Sequence, residues 1–265
     1  MDVKLIAHTQ LSEEFVHQLK GALLENYVQS NYNDRQVVAL TAIRTCYSPG
    51  KPARIAIEEG PKYFGQAATD GGSGTDADRL FRHITRSGHT STLEHISYTF
   101  AVEGVSRALL AQLTRHRVGF SYSVQSQRYV RFGSEDKSGG FDYVVPPSVT
   151  ARDELLDQIA AGNVTGSSEE KRGKALTIYH EALTSAQKAY DDLRAAGVPA
   201  EDARMVLPNA AACNLVLTVN LRALLNFYRK RRPGKGAQWE IADLAVKLRE
   251  AVVAVDPWTS AYFDN

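Results

Sequence analysis

The chain of 265 residues carries 31 Lys and Arg against 30 Asp and Glu, which gives a formal net charge of +1. This length suffices for one large domain or two modest ones with a full hydrophobic core. The near-neutral charge disfavours bulk binding of nucleic acid, so any anion site must be local.

The cysteine spacing and the hydropathy indicate in which cellular compartment the protein works. Cys46 and Cys213 lie far apart and lack a partner at CxxC spacing, which predicts neither a zinc site nor a disulfide framework. No apolar run approaches the roughly 20 residues that span a bilayer, and residues 1–5 lack a signal-peptide core. We therefore expect a soluble, cytoplasmic protein without a membrane partner.

The N-terminal part predicts a strand followed by helices. Residues 3–7 are apolar enough for an opening strand, and Ser12 begins a helix start signal. Apolar residues then recur at helical spacing, namely Phe15, Leu19, Leu23 and Tyr27. Residues 35–47 predict a second helix, and residues 76–86 predict another that ends near Gly88.

Two short segments invite readings that their spacing does not support. The Gly-rich residues 70–75 follow no strand and lack a Gly-Lys-Ser/Thr ending, so we interpret them as a flexible connection and not as a phosphate loop. His89 and His95, which precede an alternating strand at residues 96–100, are poorly spaced for metal ligands and have no carboxylate cluster nearby. Hydrogen-bonded histidines and no metal site are predicted.

Residues 115–129 concentrate three arginines, a histidine, three serines and two glutamines. Arginine offers a fixed fork of donors that suits phosphate, so the segment predicts an anion site such as one for a nucleotide. A helix over residues 105–114 would place Gln112 and Arg115 on one face. Residues 122–132 alternate as extended chain should. From spacing alone, a solvated basic turn is an equal alternative.

The C-terminal half predicts a strand at residues 143–147 and then a long amphipathic helix that starts at residues 165–168. Its apolar stripe is assigned to packing and consists of Leu176, Tyr179, Leu183, Ala186, Tyr190 and Leu193. A helix over residues 217–230 would carry Arg222 and Asn226 on one flank and Asn220 on the opposite flank. These polar residues, taken alone, would suit an ordinary solvated surface. Residues 237–255 predict a closing helix.

The motifs resemble those of the flavin-dependent thymidylate synthases. The signature consists of Arg115-His116-Arg117, a spacer, Ser126, and then Arg128-Tyr129; the family leaves seven residues in the spacer, whereas residues 118–125 make eight. The extra residue is expected near residues 118–120. Further matches occur in order: Gly88-His89 with Glu94-His95, Arg204-x-Val206-Leu207-Pro208, Asn220-x-Arg222, Asn226-Phe227 and Ala237-Gln238-Trp239-Glu240. The resemblance extends over about residues 43–263.

The resemblance implies roles for individual residues. It assigns nucleotide binding to Gln112, Arg115, Ser126, Gln127, Arg128, Arg204 and Arg232. It assigns FAD binding to Ser91, Arg115, His116, Arg117, Gln125, Asn220, Arg222 and Asn226, where Gln125 replaces a position that Val124 does not suit. Counting back from Gln238 identifies Arg232 as the catalytic, ring-activating arginine, whereas counting forward from Asn226 gives Arg231.

The resemblance also implies the fold and the reaction. The fold is α+β, a single domain over residues 1–265 with a mixed or antiparallel sheet flanked by long helices. The reaction is reductive methylation of dUMP to dTMP, with methylenetetrahydrofolate as carbon donor and NADPH as reductant through bound FAD, in a homotetramer with active sites shared between subunits. Two alternatives stay open: a flavin- and folate-dependent uracil methyltransferase acting on RNA, and a non-catalytic nucleotide-binding module.

Overall fold

The computed structural model describes residues 1–25, 32–150 and 167–263. In these residues, one antiparallel sheet has the strand order β1-β2-β4-β3. The strands are β1 (Asp2–His8), β2 (Ser97–Ser106), β3 (Phe120–Val124) and β4 (Ala212–Asn220). Burial alternates along β4 from Cys213 to Val219, as expected of a strand with one face packed on a core. The predicted α+β class with an antiparallel sheet is confirmed.

Helices make up most of the remaining described chain. Their bounds are α1 (Glu13–Glu25), α2 (Asp34–Thr45), α3 (Pro52–Gly65), α4 (Asp76–Ser87), α5 (Arg107–Leu113), α6 (Pro147–Thr150), α7 (Ser167–Ala195), α8 (Ala200–Ala203), α9 (Leu221–Arg231), α10 (Trp239–Val255) and α11 (Ser260–Phe263). Short 3-10 segments cover Thr90–His95, Arg204–Val206 and Pro257–Thr259.

Local signals fix several helix ends. Asn33 caps α2 in a reciprocal box with Gln36, and Thr75 caps α4 in the same way with Asp78. Gly88 ends α4 in the left-handed conformation with φ of 79°, which confirms the predicted stop signal. These caps supply hydrogen-bond partners for helix-terminal N–H groups that have none within the helix.

The chain divides into two compact units by its contacts. The first unit comprises Met1, Glu103–Leu113 and Val124–Leu215. Its core includes Leu183 and Tyr190 of α7, against which Tyr179, Ala186 and Leu193 pack. Five of the six stripe residues therefore serve packing, as predicted, whereas half-buried Leu176 lies outside this core.

The second unit comprises Asp2–Val102, Thr114–Ser123 and Val216–Asn265. Its interior contains the fully buried carboxylate of Asp256, at the C-terminal cap of α10. This carboxylate accepts hydrogen bonds from Asn33, Arg35, Tyr98 and Trp258, at distances between 2.6 and 2.9 Å. One acidic group thus joins four elements of this unit.

Three predicted elements differ from the structure. Residues 217–220, predicted as helix, belong to β4, and Asn220 is the N-cap of α9 and not a residue on its flank. Extended chain after Tyr122 stops at Val124, because Ser126 closes a turn: its hydroxyl accepts from the N–H of Arg128 at 3.1 Å. At residues 143–147, only a single bridge from Tyr143 to Ala211 forms.

Other differences concern ends and omissions. Helix α3 (Pro52–Gly65) was not predicted, although Pro52 near its start is a typical helix-entry signal. The Gly-rich residues 70–75 form a connection tied by a bridge from Ala67 to Thr75. Of the predicted N-terminal helix, Tyr27 lies outside the described residues, as do residues 165 and 166 before α7.

Candidate active site

Within the second unit, Asn220 links the signature segment to helix α9, which carries Arg222 and Asn226. Its side-chain oxygen caps α9 by accepting from the N–H of Ala223 at 2.8 Å. Its own N–H donates to the carbonyl of Gly119 at 3.0 Å, and the next N–H, of Leu221, donates to the carbonyl of Ile96 at 2.8 Å. The start of α9 is therefore fixed against both the signature turn and the segment that precedes β2.

The signature spacer contains a tight turn at residues 117–120. The N–H of Phe120 donates to the carbonyl of Arg117 at 3.3 Å, and Gly119 adopts φ of 74°. A Cβ at Gly119 would lie 2.6 Å from Asn220 Nδ2 and 2.7 Å from Ala223 Cβ, so this close approach requires glycine. Val118 projects into solvent with 89% of its surface exposed. This turn contains residues 118–120, where the extra spacer residue is expected.

A cavity of about 420 Å³ lies beside this turn in the second unit. Six of the eight residues predicted to bind FAD line it: Arg115, His116, Arg117, Asn220, Arg222 and Asn226. Arg229 and Lys230 add positive charge, and Glu94 is the acidic residue of the lining. The structure therefore gathers residues from two distant sequence clusters around one cationic cavity that suits an anionic ligand.

His116 is the most constrained side chain of this cavity. Its Nε2 accepts from Arg231 Nε at 3.1 Å, its carbonyl accepts from the Tyr122 hydroxyl at 2.6 Å, and its ring meets Phe227 edge-on at 4.9 Å. Because a guanidinium only donates, this bond assigns the proton of the neutral ring to Nδ1. Burial, together with Arg231, Lys230 and Arg115, lowers the pKa of His116 to about 4.

The lowered pKa of His116 makes a pH dependence of stability testable. An unfolded histidine titrates near 6.5, so between about pH 6.5 and 4 the unfolded chain binds more protons than the folded one. The free energy of unfolding should therefore fall as the pH falls through this window. Urea unfolding of the wild type and of His116→Gln, whose amide can still accept from Arg231, measures the difference. If the free energies of unfolding of the wild type and of His116→Gln differed by the same amount at every pH from 8 to 4, this prediction would be wrong.

Glu94 is a residue of this cavity to which the sequence assigned no role. Its Oε1 forms an ion pair with Arg222 Nη1, so a predicted FAD ligand is held by a carboxylate from the segment that precedes β2. The nearby Asn226 side chain accepts from Arg229 at 2.9 Å. The Glu94-His95 motif was visible in the sequence, but a contact across 128 positions carries no local signal.

In the first unit, two arginines predicted to bind the nucleotide converge on one residue. Arg128 Nε lies 2.6 Å from Glu201 Oε2, and Arg204 Nε donates to the carbonyl of Glu201 at 2.9 Å. The Arg128 guanidinium also lies over the ring of Tyr129, 5.4 Å from its centroid. The signature and the Arg-x-Val-Leu-Pro motif are thus brought together, and Glu201 is a further residue that sequence reasoning missed.

The glutamines of this unit are placed differently from one another. Gln127 is 9% exposed, and its buried Nε2 has no hydrogen-bond partner among the described residues. Such an orphaned donor is costly unless a ligand or water meets it. Gln125 pairs with Asn214 through its N–H at 2.8 Å. Gln112 Nε2 donates a long hydrogen bond, at 3.5 Å, to the carbonyl of Ala108 in its own helix.

Some predicted placements are not found. Helix α5 ends at Leu113, so Arg115 lies beyond it and does not share a helical face with Gln112. Ser91 is exposed in a 3-10 segment and is not among the residues lining the cavity. Arg232 is the C-cap of α9, where its N–H donates to the Tyr228 carbonyl at 2.7 Å. Its guanidinium has no hydrogen-bond partner in the described part of the chain.

Three further observations concern metals, thiols and membranes. Within residues 1–25, 32–150 and 167–263, no group of three His, Cys, Asp or Glu is arranged to hold a metal ion, and His89 Nδ1 lies 2.8 Å from the Tyr47 hydroxyl. Cys46 is exposed and Cys213 is buried in β4, and within the described ranges the two form no disulfide bond. None of the described helices is long and apolar enough to cross a membrane.

Comparison with known proteins adds independent findings. The family model described as "Thymidylate synthase complementing protein" matches residues 28–258. A flavin-dependent thymidylate synthase from Geobacter sulfurreducens is 38% identical over 224 residues, which cover 84% of this chain and 80% of that protein. Another from Halobacterium salinarum is 36% identical over 212 residues and covers 78% of this chain and 84% of that protein.

A solved structure shares the fold. It is that of a UMP/dUMP methylase, PolB from Streptomyces cacaoi, bound with 5-Br dUMP. The TM-score is 0.66 at 22% identity, and the match covers 99% of this chain and 94% of that chain. At this identity, the likeness concerns the fold, which both chains share over almost their whole lengths.

Proposed function

Because the chain belongs to the thymidylate synthase complementing protein family, whose relatives above are flavin-dependent thymidylate synthases, we propose that it methylates dUMP reductively to dTMP. The predicted family and the predicted class of enzyme are thereby confirmed. Our proposal adds FAD as the flavin, NADPH as the reductant and methylenetetrahydrofolate as the carbon donor.

The observation that carries the proposal is the cationic cavity of the second unit. Its arginines suit the pyrophosphate of FAD, and the neutral His116 can donate from Nδ1 to a flavin heteroatom. Because Gly119 has no side chain, its backbone can lie in close contact with Asn220, where a Cβ atom would clash. The residues present therefore fit FAD, which Arg115, His116, Arg117, Asn220, Arg222 and Asn226 would hold, with Ser91 and Gln125 as further contacts. Bound flavin supplies the hydride.

The nucleotide contacts that we propose lie mainly in the first unit. Arg128 and Arg204, which meet at Glu201, would bind the phosphate, since paired guanidinium groups suit a dianion. Ser126 would contact the same phosphate. The orphaned Nε2 of Gln127 supports a ligand in its vicinity. Gln112 and Arg115 complete the set that the resemblance implies.

Arg232 is the residue to which we assign ring activation. A uracil ring becomes nucleophilic at its reacting carbon when negative charge on the ring is stabilised, and a fixed guanidinium can provide that stabilisation. The guanidinium of Arg232 has no partner among the described residues, whereas that of Arg231 is held by His116. This difference supports Arg232 as the arginine that faces the substrate and Arg231 as the one that positions His116.

The proposal includes the assembly and the compartment. We place the enzyme in the cytoplasm as a single functional domain, and as a homotetramer whose active sites are shared between subunits. Cys46 and Cys213 form no disulfide in the described part of the chain, which suits a reducing compartment. We propose that no covalent cysteine adduct is needed, because Cys46 and Cys213 lie outside both polar sequence clusters that carry the proposed contacts.

The absorption spectrum of the purified protein tests the proposal. We expect a flavin spectrum that anaerobic NADPH bleaches, at a rate that added dUMP changes, because flavin, reductant and substrate would then share one functioning site. Product analysis with methylenetetrahydrofolate should detect dTMP. A colourless protein that binds no added FAD would contradict the proposal, and binding of dUMP without any flavin would leave only a nucleotide-binding module.

A further inference from the structure

Glu201 contacts both arginines to which phosphate binding is assigned. Its carboxylate pairs with Arg128 at 2.6 Å, while its carbonyl accepts from Arg204 Nε at 2.9 Å. The two bonds differ in kind. The carbonyl bond depends only on the backbone and positions Arg204, whereas the carboxylate bond places a negative charge on the guanidinium that would bind the phosphate.

A carboxylate and a phosphate that bind the same guanidinium compete for it. A phosphate bound to Arg128 must either displace the Glu201 carboxylate or remain beside it, and two anions a few ångströms apart repel. Arg128 and Glu201 are 57% and 44% exposed in their side chains, so water and salt screen this repulsion and the pair itself is weak. The carboxylate is therefore an exchangeable competitor and not a fixed structural anchor.

We propose that Glu201 tunes the affinity of the phosphate site: its carboxylate competes with the nucleotide phosphate for Arg128 and so weakens the binding of nucleoside monophosphates. This inference rests on the proposed function, since it concerns the phosphate of dUMP. The competition applies equally to dTMP, which carries the same phosphate. Glu201 thus keeps both substrate and product readily exchangeable.

The neighbouring Asp202 provides a matched control. It follows Glu201 in α8 and is exposed, and no ion pair or side-chain hydrogen bond involves it among the described residues. Glu201→Gln and Asp202→Asn remove the same charge at adjacent positions, but only the first removes the competitor of Arg128. The amide of Glu201→Gln also leaves the backbone bond to Arg204 in place.

The test is calorimetric titration of the FAD-loaded enzyme with dUMP, dTMP and deoxyuridine. In Glu201→Gln, the Kd for dUMP and for dTMP should fall about two- to fivefold, the range expected from an exposed ion pair. The Kd for deoxyuridine, which has no phosphate, should not change. Asp202→Asn should bind all three ligands as the wild type does. In an Arg128→Gln background, adding Glu201→Gln should have no effect on dUMP binding.

The outcomes separate this inference from the function on which it rests. If the wild type binds dUMP and Glu201→Gln binds it equally or more weakly, Glu201 positions Arg128 and the inference is wrong, while the proposed function stands. Equal tightening by Asp202→Asn would indicate a bulk charge effect and would also overturn it. If the wild-type enzyme binds no dUMP, both fail together.

Discussion

Replacement of Asp256 by asparagine is expected to lower the free energy of unfolding by about 3–5 kcal/mol, because it leaves a buried cation without its counter-charge. Asp256 is 0% exposed, and Arg35, whose Nε lies 2.8 Å from Oδ2, is 6% exposed. The new amide would also turn a donor towards Arg35, Tyr98, Asn33 or Trp258, all of which now donate. Few single changes combine an unpaired charge with a broken hydrogen-bond network.

Urea unfolding at constant protein concentration and pH 7 measures this loss. Glu58→Gln in α3 is the matched control, since it removes a carboxylate that pairs with Arg54 at 3.1 Å while both side chains are 55% exposed. That exposed pair should contribute less than about 1 kcal/mol. A loss at Asp256 no larger than that at Glu58 would mean that water reaches the cluster and that the buried network does not hold this unit together.

The sequence predicted those elements whose signals are local. Helix α4 carried a stop signal at Gly88, and α7 carried a long apolar stripe, so both were identified. The last four residues of β4, 217–220, were assigned to a helix because Leu217 runs on into the leucines of α9 and imitates a helical repeat. The end of that strand depends on Asn220, whose N–H pairs with distant Gly119.

The candidate site, like the fold, could be predicted from the sequence only in part. The resemblance identified its polar residues, and six of the predicted FAD ligands do line one cavity. It assigned no role to Glu94 or Glu201, because each reaches its arginine only through tertiary structure. The bond from Arg231 to His116 likewise joins positions that are 115 residues apart. Residue types can be inferred from motifs, but their pairing depends on the packed fold.

Arg232→Gln is expected to lower kcat about 10²- to 10³-fold, the usual cost of losing one donor that stabilises developing negative charge. The substitution should change kcat more than KM, because the interaction between Arg232 and the substrate strengthens only as negative charge develops on the uracil ring. Stability should change little, since the guanidinium has no partner among the described residues and the backbone bond to Tyr228 remains. Steady-state formation of dTMP by the FAD-loaded enzyme, with saturating methylenetetrahydrofolate, measures both constants.

Arg231→Gln is the matched variant, with the same change one position earlier on α9. It removes the guanidinium that donates to His116 Nε2 at 3.1 Å, so we expect weaker FAD binding and a smaller loss of kcat once FAD is saturating. It should also raise the pKa of His116, since Arg231 is one of the charges that lower it. If instead the large loss of kcat follows Arg231→Gln and spares Arg232→Gln, the register counted from Asn226 is the right one. The two counts differ because this sequence carries one residue more than the family between Asn226 and Gln238; that residue would then lie after the activating arginine, in the loop that leads to α10.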